Sequence, residues 1–274
     1  MDSAFVEFRH VYAGYSPAKG MSALFSSKQS DSNMVLNDVS LSLHAKDHIV
    51  LFGPSASGKS TLLRLMCGAH IPHEGTIIVN GKKPEANPSA KLGYVSAEHA
   101  GKSSCSTSER VRKELGRAVS SDAPVILLDD VADVLGAGEI KKLSATVFAG
   151  RCAIIATRNV DIAERLELPI YLLHKSSLAH TGTRESIAHD TGVARIVDAW
   201  VEGLRYDLLR KLRAHPGVLE VRLLPTDQFD GNRIRITLRN SRYLPSLYDV
   251  VSQASLVRIE ELPPSLSDIL ATLS

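Results

Sequence analysis

The chain has 274 residues, of which 44 % are hydrophobic and 23 % are charged, and its formal net charge is +2 at pH 7. This composition excludes a wholly disordered or collagen-like chain, and the near balance of charge gives no support to binding of nucleic acid or membranes by bulk electrostatics. The three cysteines include no close pair, so they predict neither a disulfide framework nor a zinc site and fit a reducing cytoplasm.

Membrane and secretion signals are also absent from the sequence pattern. No stretch approaches the roughly 20 apolar residues that a membrane-spanning helix needs. The N-terminus carries acidic residues early and lacks the apolar core of a secretory signal. We therefore expect a soluble chain that associates with a membrane only through a partner.

Strand and helix patterns alternate over about the first 190 residues. Strand-like runs at 5–12 and 35–43 flank a Ser-rich segment, 16–33, which we expect to be a flexible insertion. Almost wholly apolar runs, typical of buried parallel strands, follow at 48–52, 124–129 and 152–157. Helical patterns lie between the last three, at roughly 108–119 and 137–148. This alternation predicts an α/β domain with a mainly parallel sheet.

The pattern changes beyond about residue 190. A helix is predicted over Ala194–Ala214, and strands over Val218–Leu224 and Arg233–Leu238. A further helix, strand and helix complete a small α+β arrangement. We therefore predict two domains, residues 1–192 and residues 193–274.

A phosphate-binding loop is predicted at the end of the strand 48–52. Gly53, four further residues and then Gly58-Lys59-Ser60 match the P-loop pattern, with a strand before it and a helix after it. Gly58 allows a tight turn that points backbone N–H groups at one phosphate, and Lys59 can reach the β- and γ-phosphates. The predicted nucleotide-binding residues here are Gly53, Ser55, Ala56, Ser57, Gly58, Lys59, Ser60 and Thr61.

A carboxylate pair follows the apolar run 124–129. Asp129 ends the strand, and the carboxyl edge of a parallel sheet brings it beside the phosphate loop. Ser60 and Asp129 are therefore the predicted Mg²⁺ ligands, and Mg²⁺ and ATP are the predicted cofactors. Asp130 follows immediately.

The order of these motifs resembles that of the ATP-binding subunits of ABC transporters, over nearly the whole chain. Tyr15 occupies the place of the family's aromatic residue that stacks on adenine, 73–81 is similar to the strand after the phosphate loop, and 93–98 to the Q-loop region. The ending 263–269, on a small α+β domain, resembles the C-terminal extension of exporter ATPases. The resemblance implies a membrane permease partner, a dimer with an identical or different ATP-binding subunit, and a place on the cytoplasmic face of the membrane.

Several positions depart from the family's pattern. The family's catalytic glutamate corresponds to Asp130, one methylene shorter, and its switch histidine corresponds to Arg158. Its Q-loop glutamine corresponds to Ala97, beside Glu98, and its Leu-Ser-Gly-Gly-Gln signature corresponds to 105–109, where both glycines are replaced. The resemblance thus implies degenerate catalytic positions, Asp130 and Arg158, in a subunit that binds Mg-ATP and hydrolyses it slowly or not at all.

One departure is architectural. Only seven residues, 98–104, separate the Q-loop position from the signature position, where the family has a helical subdomain of several dozen residues. The fold expected from the resemblance is therefore a P-loop NTPase domain with a reduced helical subdomain, plus a small α+β domain for dimerisation or regulation.

Two functions remain open at this point. One is the nucleotide-binding subunit of an ABC-type export complex, working with a permease and a competent partner ATPase. The alternative is a non-transporting, ATP-dependent assembly or regulatory module of a membrane complex, which the shortened helical region favours. A vestigial subunit that no longer binds ATP is disfavoured by the retention of Lys59, Ser60 and Asp129.

Overall fold

The computed structural model describes residues 5–15, 34–84, 92–98, 106–146, 148–204, 206–225 and 231–273. The chain forms two compact units, residues 1–181 and 182–274. The insertion predicted at 16–33 and most of the shortened interval at 98–104 lie outside the described residues. Among the described helices, none combines the length and the apolar character that crossing a membrane requires.

The first unit contains nine strands and five helices within the described residues. In chain order these are β1 (Val6–Gly14), β2 (Met34–Leu43), β3 (His48–Phe52), α1 (Lys59–Met66), β4 (Glu74–Val79), β5 (Leu92–Ser96), α2 (Thr107–Ser120), β6 (Val125–Asp129), α3 (Val131–Leu135), α4 (Ala137–Thr146), β7 (Cys152–Thr157), α5 (Val160–Leu166), β8 (Ile170–His174) and β9 (Ser177–Gly182).

A six-stranded sheet, ordered β5-β6-β7-β3-β8-β9, forms the centre of the first unit. The ladders from β5 through β8 are parallel. Every residue of β6 and β7 is buried, as expected for strands without polar alternation that are covered on both faces. The mainly parallel sheet predicted from the apolar runs is confirmed.

A second, antiparallel sheet of order β2-β1-β4 packs into the same core. In β1, Val6 pairs with Leu43 of β2 on one side and Val79 of β4 on the other. All three of these side chains are buried. This sheet brings the end of β1 close to the segment that follows α1.

The second unit contains α6 (Arg184–Asp190), β10 (Arg195–Glu202), α7 (Tyr206–Ala214), β11 (Val218–Leu224), β12 (Asn232–Leu238), α8 (Leu244–Val251), β13 (Ser255–Leu262) and α9 (Leu266–Thr272). Its strands form an antiparallel sheet of order β11-β12-β10-β13. One face of this sheet forms a core with α7 and α8. The compact units divide after Thr181, before the predicted boundary at residue 192, since α6 packs against α9.

The helix predicted over Ala194–Ala214 is wrong in its first half. Residues Arg195–Glu202 form the central strand β10, which is paired with β12 and β13. Val197, Ala199 and Val201 point into the core, while Asp198 faces arginines on the opposite side of the sheet. Ile196 and Trp200 share that opposite face with Asp198, so apolar residues occur on both faces and the polar alternation of a half-exposed strand is weak. The second half, α7, is helical as predicted.

Candidate functional site

The loop between β3 and α1 depends on two glycines. Gly58 has φ +103°, and a Cβ atom there would lie 2.5 Å from Leu36 Cδ2. At Gly53, a Cβ atom would lie 2.3 Å from the backbone oxygen of Leu173. A side chain at either position would therefore displace backbone or core, which explains why this loop needs glycine at both ends.

Lys59 is held at the centre of this loop. Its Nζ donates to the carbonyl oxygens of Gly53 and Pro54, at 2.8 Å each. Burial lowers the pKa of Lys59, and the nearby carboxylates of Asp130 and Asp129 oppose that shift. The two carbonyl groups thus hold the Lys59 ammonium within the loop. A phosphate bound in the loop can replace them as the acceptor of its hydrogen bonds.

Ser60 and Asp129 lie together, as the strand order predicts. Ser60 Oγ donates to Asp129 Oδ1 at 3.0 Å, and Tyr94 OH donates to Asp129 Oδ2 at the same distance. Asp129 is only 3 % exposed. A hydroxyl and a buried carboxylate are the hard oxygen ligands that Mg²⁺ prefers, so the residues present fit this ion.

Tyr94 was missed by the sequence reasoning. It lies on β5, in register with Leu127 of the neighbouring β6. Burial raises the pKa of Tyr94 to about 12, and the charge of Asp129 adds to the shift, so its hydroxyl stays a donor to that carboxylate. Tyr94 lies within the predicted Q-loop region, 93–98, which was the one hint in the sequence. Only the register of β5 against β6 shows that it lies close to Asp129.

Asp130 and Arg158 both border the same cavity as the loop. Asp130 adopts a left-handed backbone conformation, with φ 54°. Burial raises its pKa to about 6, with further contributions from Asp133 and Asp129. Arg158 Nη1 donates to Ser55 Oγ at 3.3 Å, which places its guanidinium beside the loop.

Asp133 is a second carboxylate that the sequence reasoning did not assign to the site. Its Oδ1 accepts a hydrogen bond from Thr157 Oγ1 at 2.7 Å. Among the described atoms, Asp133 Oδ2 and Asp130 Oδ1 are buried and have no hydrogen-bond partner. The charge of Asp133 contributes to the raised pKa of Asp130, so the two carboxyl groups interact at the start of α3.

The cavity formed by these elements has a volume of about 340 Å³. That is within the range of small-molecule sites, roughly 300–1,000 Å³. Its lining residues are Tyr15, Val35, Ser55, Ala56, Ser57, Gly58, Lys59, Ser60, Thr61, Glu98, Asp130 and Arg158. The structure thus brings most of the predicted site residues to one cavity. The other two, Gly53 and Asp129, accept hydrogen bonds from the lining residues Lys59 and Ser60.

Tyr15 follows β1 and forms one wall of the cavity. Its hydroxyl lies 3.2 Å from Thr61 Oγ1 and accepts a hydrogen bond from Arg64 Nη1 at 3.3 Å. Its ring packs against His70, with the ring centroids 5.0 Å apart. Sequence reasoning found Tyr15 through the family resemblance, but not the Arg64 and His70 contacts.

The Q-loop position is divided between two residues. The Ala97 amide donates to the Asp129 carbonyl oxygen at 3.0 Å, while its side chain has no polar atom. Glu98 borders the cavity, and its Oε2 lies 3.8 Å from Arg64 Nη2. At the Q-loop position, Glu98 therefore supplies a carboxylate to the cavity, whereas Ala97 supplies no polar side chain.

The signature position begins a helix. Ser106 caps α2: its Oγ accepts from the Glu109 amide, and the Glu109 carboxylate accepts from the Ser106 amide. This reciprocal capping box uses the polar groups of both residues to satisfy the end of the helix. Cys105, the first residue of the predicted signature position, lies outside the described residues.

A glycine-bounded loop, a lysine within it and a serine–aspartate pair at the carboxyl edge of a parallel sheet define a P-loop nucleotide-binding protein. Comparison with known proteins adds a match to one family over part of the chain. Residues 36–104 match the family model for the ABC transporter.

Similar curated proteins are ATP-binding proteins of importers. The chain is 38 % identical over 73 residues to an aliphatic sulfonates import ATP-binding protein, SsuB, of Bacillus cereus, covering 27 % of this chain and 29 % of that protein. It is 40 % identical over 76 residues to the sulfate/thiosulfate import ATP-binding protein CysA of Mesostigma viride, covering 27 % and 22 %. The matches thus span less than a third of the length of these relatives.

Solved structures share the fold more widely. A bacterial Atm1-family ABC exporter with ATP bound has a TM-score of 0.53 at 19 % identity, covering 68 % of this chain and 39 % of that one. An ATP binding subunit of an ABC transporter has a TM-score of 0.51 at 18 % identity, covering 69 % and 93 %. These likenesses show a shared fold, and the predicted P-loop NTPase fold is confirmed.

Proposed function

We propose that this chain is the ATP-binding subunit of an ABC-type membrane export complex. The observation that carries the proposal is the placement of the Lys59 ammonium, the Ser60–Asp129 pair and the Tyr15 ring around one cavity. These groups match a triphosphate, a magnesium ion and a nucleobase in turn.

Each group has a separate task in binding. The backbone amides of the loop and the N-terminal end of α1 surround the phosphates, and Lys59 neutralises their charge. Ser60 and Asp129 would hold Mg²⁺, which would supply positive charge to the phosphates. Tyr15 provides an apolar face for the base. The Thr61 hydroxyl, which lies 3.2 Å from the Tyr15 hydroxyl, would contact the α-phosphate.

We infer that hydrolysis is slow or absent. Asp130 is one methylene shorter than a glutamate, so its carboxyl group is set back from the place where the family's glutamate polarises the attacking water. Ala97 offers no side-chain ligand, and the Arg158 guanidinium donates hydrogen bonds but does not exchange protons as a histidine does. Loss of a positioned base costs about 10²–10⁴ in rate.

The partners of this subunit follow from the proposal. It would bind a membrane permease on the cytoplasmic face and dimerise with an identical or a catalytically competent ATP-binding subunit. The names of the importer relatives and of the exporter structure support a role in transport, while they differ in its direction. Export is the direction that the α+β extension favours.

A second candidate is an ATP-dependent assembly or regulatory module that does not pump. It is favoured by the interval between β5, which ends at Ser96, and α2, which begins at Thr107. A linker of that length cannot contain a helical subdomain of family size. Nucleotide occupancy would then order a complex without a transport cycle.

The test uses the purified full-length chain and its native complex isolated from membranes. We expect the chain to bind Mg-ATP in calorimetry, with a turnover at least about 100-fold below that of a competent ABC ATPase. Absence of Mg-ATP binding would contradict the proposal. So would rapid turnover that disappears in Asp130→Ala but not in Asp161→Ala, a control on the exposed surface of α5. ATP-driven transport by the isolated complex would exclude the second candidate.

A further inference from the structure

A cluster of polar contacts around Arg64 links two ends of the nucleotide cavity. Arg64 lies three and four residues after Thr61 and Ser60 on α1, so these side chains share one face of the helix. Arg64 Nη1 donates to the Tyr15 hydroxyl at 3.3 Å, and Nη2 lies 3.8 Å from Glu98 Oε2. The guanidinium thus bridges the end of β1 and the end of β5.

The direction of the hydrogen bond between Arg64 and Tyr15 is fixed by chemistry. A guanidinium has donors but no acceptor, so the Tyr15 oxygen must accept from Arg64. The Tyr15 hydroxyl also shares a hydrogen bond with Thr61 Oγ1, 3.2 Å away, in which either oxygen can be the donor. Two hydrogen bonds therefore hold the hydroxyl, while His70 packs against the ring at 5.0 Å with an interplanar angle of 32°.

Tyr15 needs such support because the sheet does not hold it. β1 ends at Gly14, and Tyr15 remains 45 % exposed. His70 Nε2 donates to the Gly14 carbonyl oxygen at 3.1 Å, which anchors the chain just before the ring. Without Arg64, the ring would retain its contact with His70 but lose the donor that fixes its hydroxyl.

We propose that Arg64 is a positioning residue for nucleotide binding, which holds the Tyr15 ring in place as the base-facing wall of the cavity. Arg64 thereby sets the preference of the site for a nucleotide over a bare polyphosphate. The inference rests on the proposed function. Loss of Arg64 should weaken nucleotide binding about three- to tenfold, which is the cost of immobilising one side chain on binding.

The experiment compares two ligands on the full-length chain: Mg-ATP and Mg-tripolyphosphate, which lacks base and ribose. The Arg64→Met variant keeps an apolar stem and removes the guanidinium, while Tyr15→Phe keeps the ring and removes the hydroxyl. We expect each variant to weaken Mg-ATP binding about three- to tenfold and to leave tripolyphosphate binding within about twofold. The double variant should lose no more than either single variant, since both remove the same contact.

Arg165→Met on α5 is the matched control, because Arg165 pairs only with the exposed Asp161 among the described residues. Equal weakening of both ligands by Arg64→Met would overturn the inference, because the guanidinium would then act on the phosphates. Unchanged Mg-ATP binding, or additive losses in the double variant, would overturn it as well. A wild-type chain that binds neither ligand overturns the proposed function itself and this inference with it.

Discussion

Lys59 is the residue on which phosphate binding depends most directly. Its ammonium donates hydrogen bonds to two loop carbonyl oxygens, and the residue is only 7 % exposed. The ammonium is therefore desolvated and held in the loop before a ligand binds. A hydrogen bond to a charged group contributes about 1.5–3 kcal/mol. The Lys59→Met variant should therefore bind Mg-ATP about 10- to 100-fold more weakly, as measured by calorimetry.

The control for this prediction is Lys141→Met, which removes an exposed partner of Glu167 on the same unit. This variant should bind Mg-ATP like the wild type. Equal affinities of the Lys59 variant and the wild type would show that the loop binds phosphate without its lysine, contrary to the proposed function.

Gly58 gives a second prediction at the residue scale. Its φ of +103° is strained for any L side chain, and the new Cβ atom would lie 2.9 Å from the Val35 backbone oxygen as well as close to Leu36. We expect Gly58→Ala to lower the free energy of unfolding by about 1–3 kcal/mol. Gly138→Ala, where a Cβ atom meets nothing within 4 Å, is the matched control. Comparable melting temperatures for the two variants would contradict the strain argument.

At the scale of elements, β10 is organised by a buried ion cluster. The Asp198 side chain is fully buried and accepts hydrogen bonds from Arg233 and Arg235 of β12. Burial alone would raise the pKa of Asp198, but the hydrogen bonds from Arg235 and Arg233 outweigh it and the net pKa is lowered. The pairing joins two strands on the face of the sheet opposite the helices α7 and α8.

The sign of the pH dependence follows from this lowered pKa. A carboxyl group with a folded pKa below its ordinary value of 3.8 stabilises the folded state above that pH, and the contribution is lost as pH falls through the folded value. We expect the second unit of the wild type to lose stability below about pH 4. Removing the charge in Asp198→Asn should cost about 3 kcal/mol at pH 7 and flatten this dependence.

The measurement is urea unfolding between pH 3 and pH 7, followed by the fluorescence of Trp200. This residue is the single tryptophan of the chain, and it lies on β10 against the guanidinium groups of Arg233 and Arg258. Glu260→Gln, at an exposed ion pair with Arg258, is the control and should change stability by less than about 1 kcal/mol. A pH profile of Asp198→Asn that parallels the wild type would refute the assignment.

At the scale of the whole molecule, the two units have separate cores. The core of the second unit is drawn entirely from its own strands and helices, including Leu208 and Leu212 of α7 and Leu247 of α8. We expect residues 182–274 to fold without the rest of the chain and to unfold cooperatively, because this core closes within the segment. Circular dichroism and Trp200 emission of the isolated segment test the prediction.

A matched pair of leucines controls that experiment. Leu212→Ala in the isolated segment should cost about 2–5 kcal/mol, since Leu212 is fully buried. Leu223→Ala should cost less than about 1 kcal/mol, since Leu223 is 52 % exposed. Emission typical of a fully solvated indole, or equal effects of the two substitutions, would argue against an independent fold.

The parallel sheet and the phosphate loop were predictable from the amino-acid sequence alone. Short apolar runs without alternation are typical of strands covered on both faces, and the glycine and lysine spacing between a strand and a helix is a local property of the chain. The pairing of Ser60 with Asp129 also followed, because strands of a parallel sheet end at one edge.

The other contacts of the site, and the strand β10, depend on the tertiary structure. Tyr94 reaches Asp129 from 35 residues away, and Arg64 reaches Tyr15 from 49 residues away, so no local pattern connects them. The strand β10 was mistaken for a helix because both of its faces carry apolar residues, and the arginines of β12 that pair with its buried Asp198 are far along the chain. Such contacts depend on strand order and register, which bring distant side chains together and are specified by the packing of the whole unit.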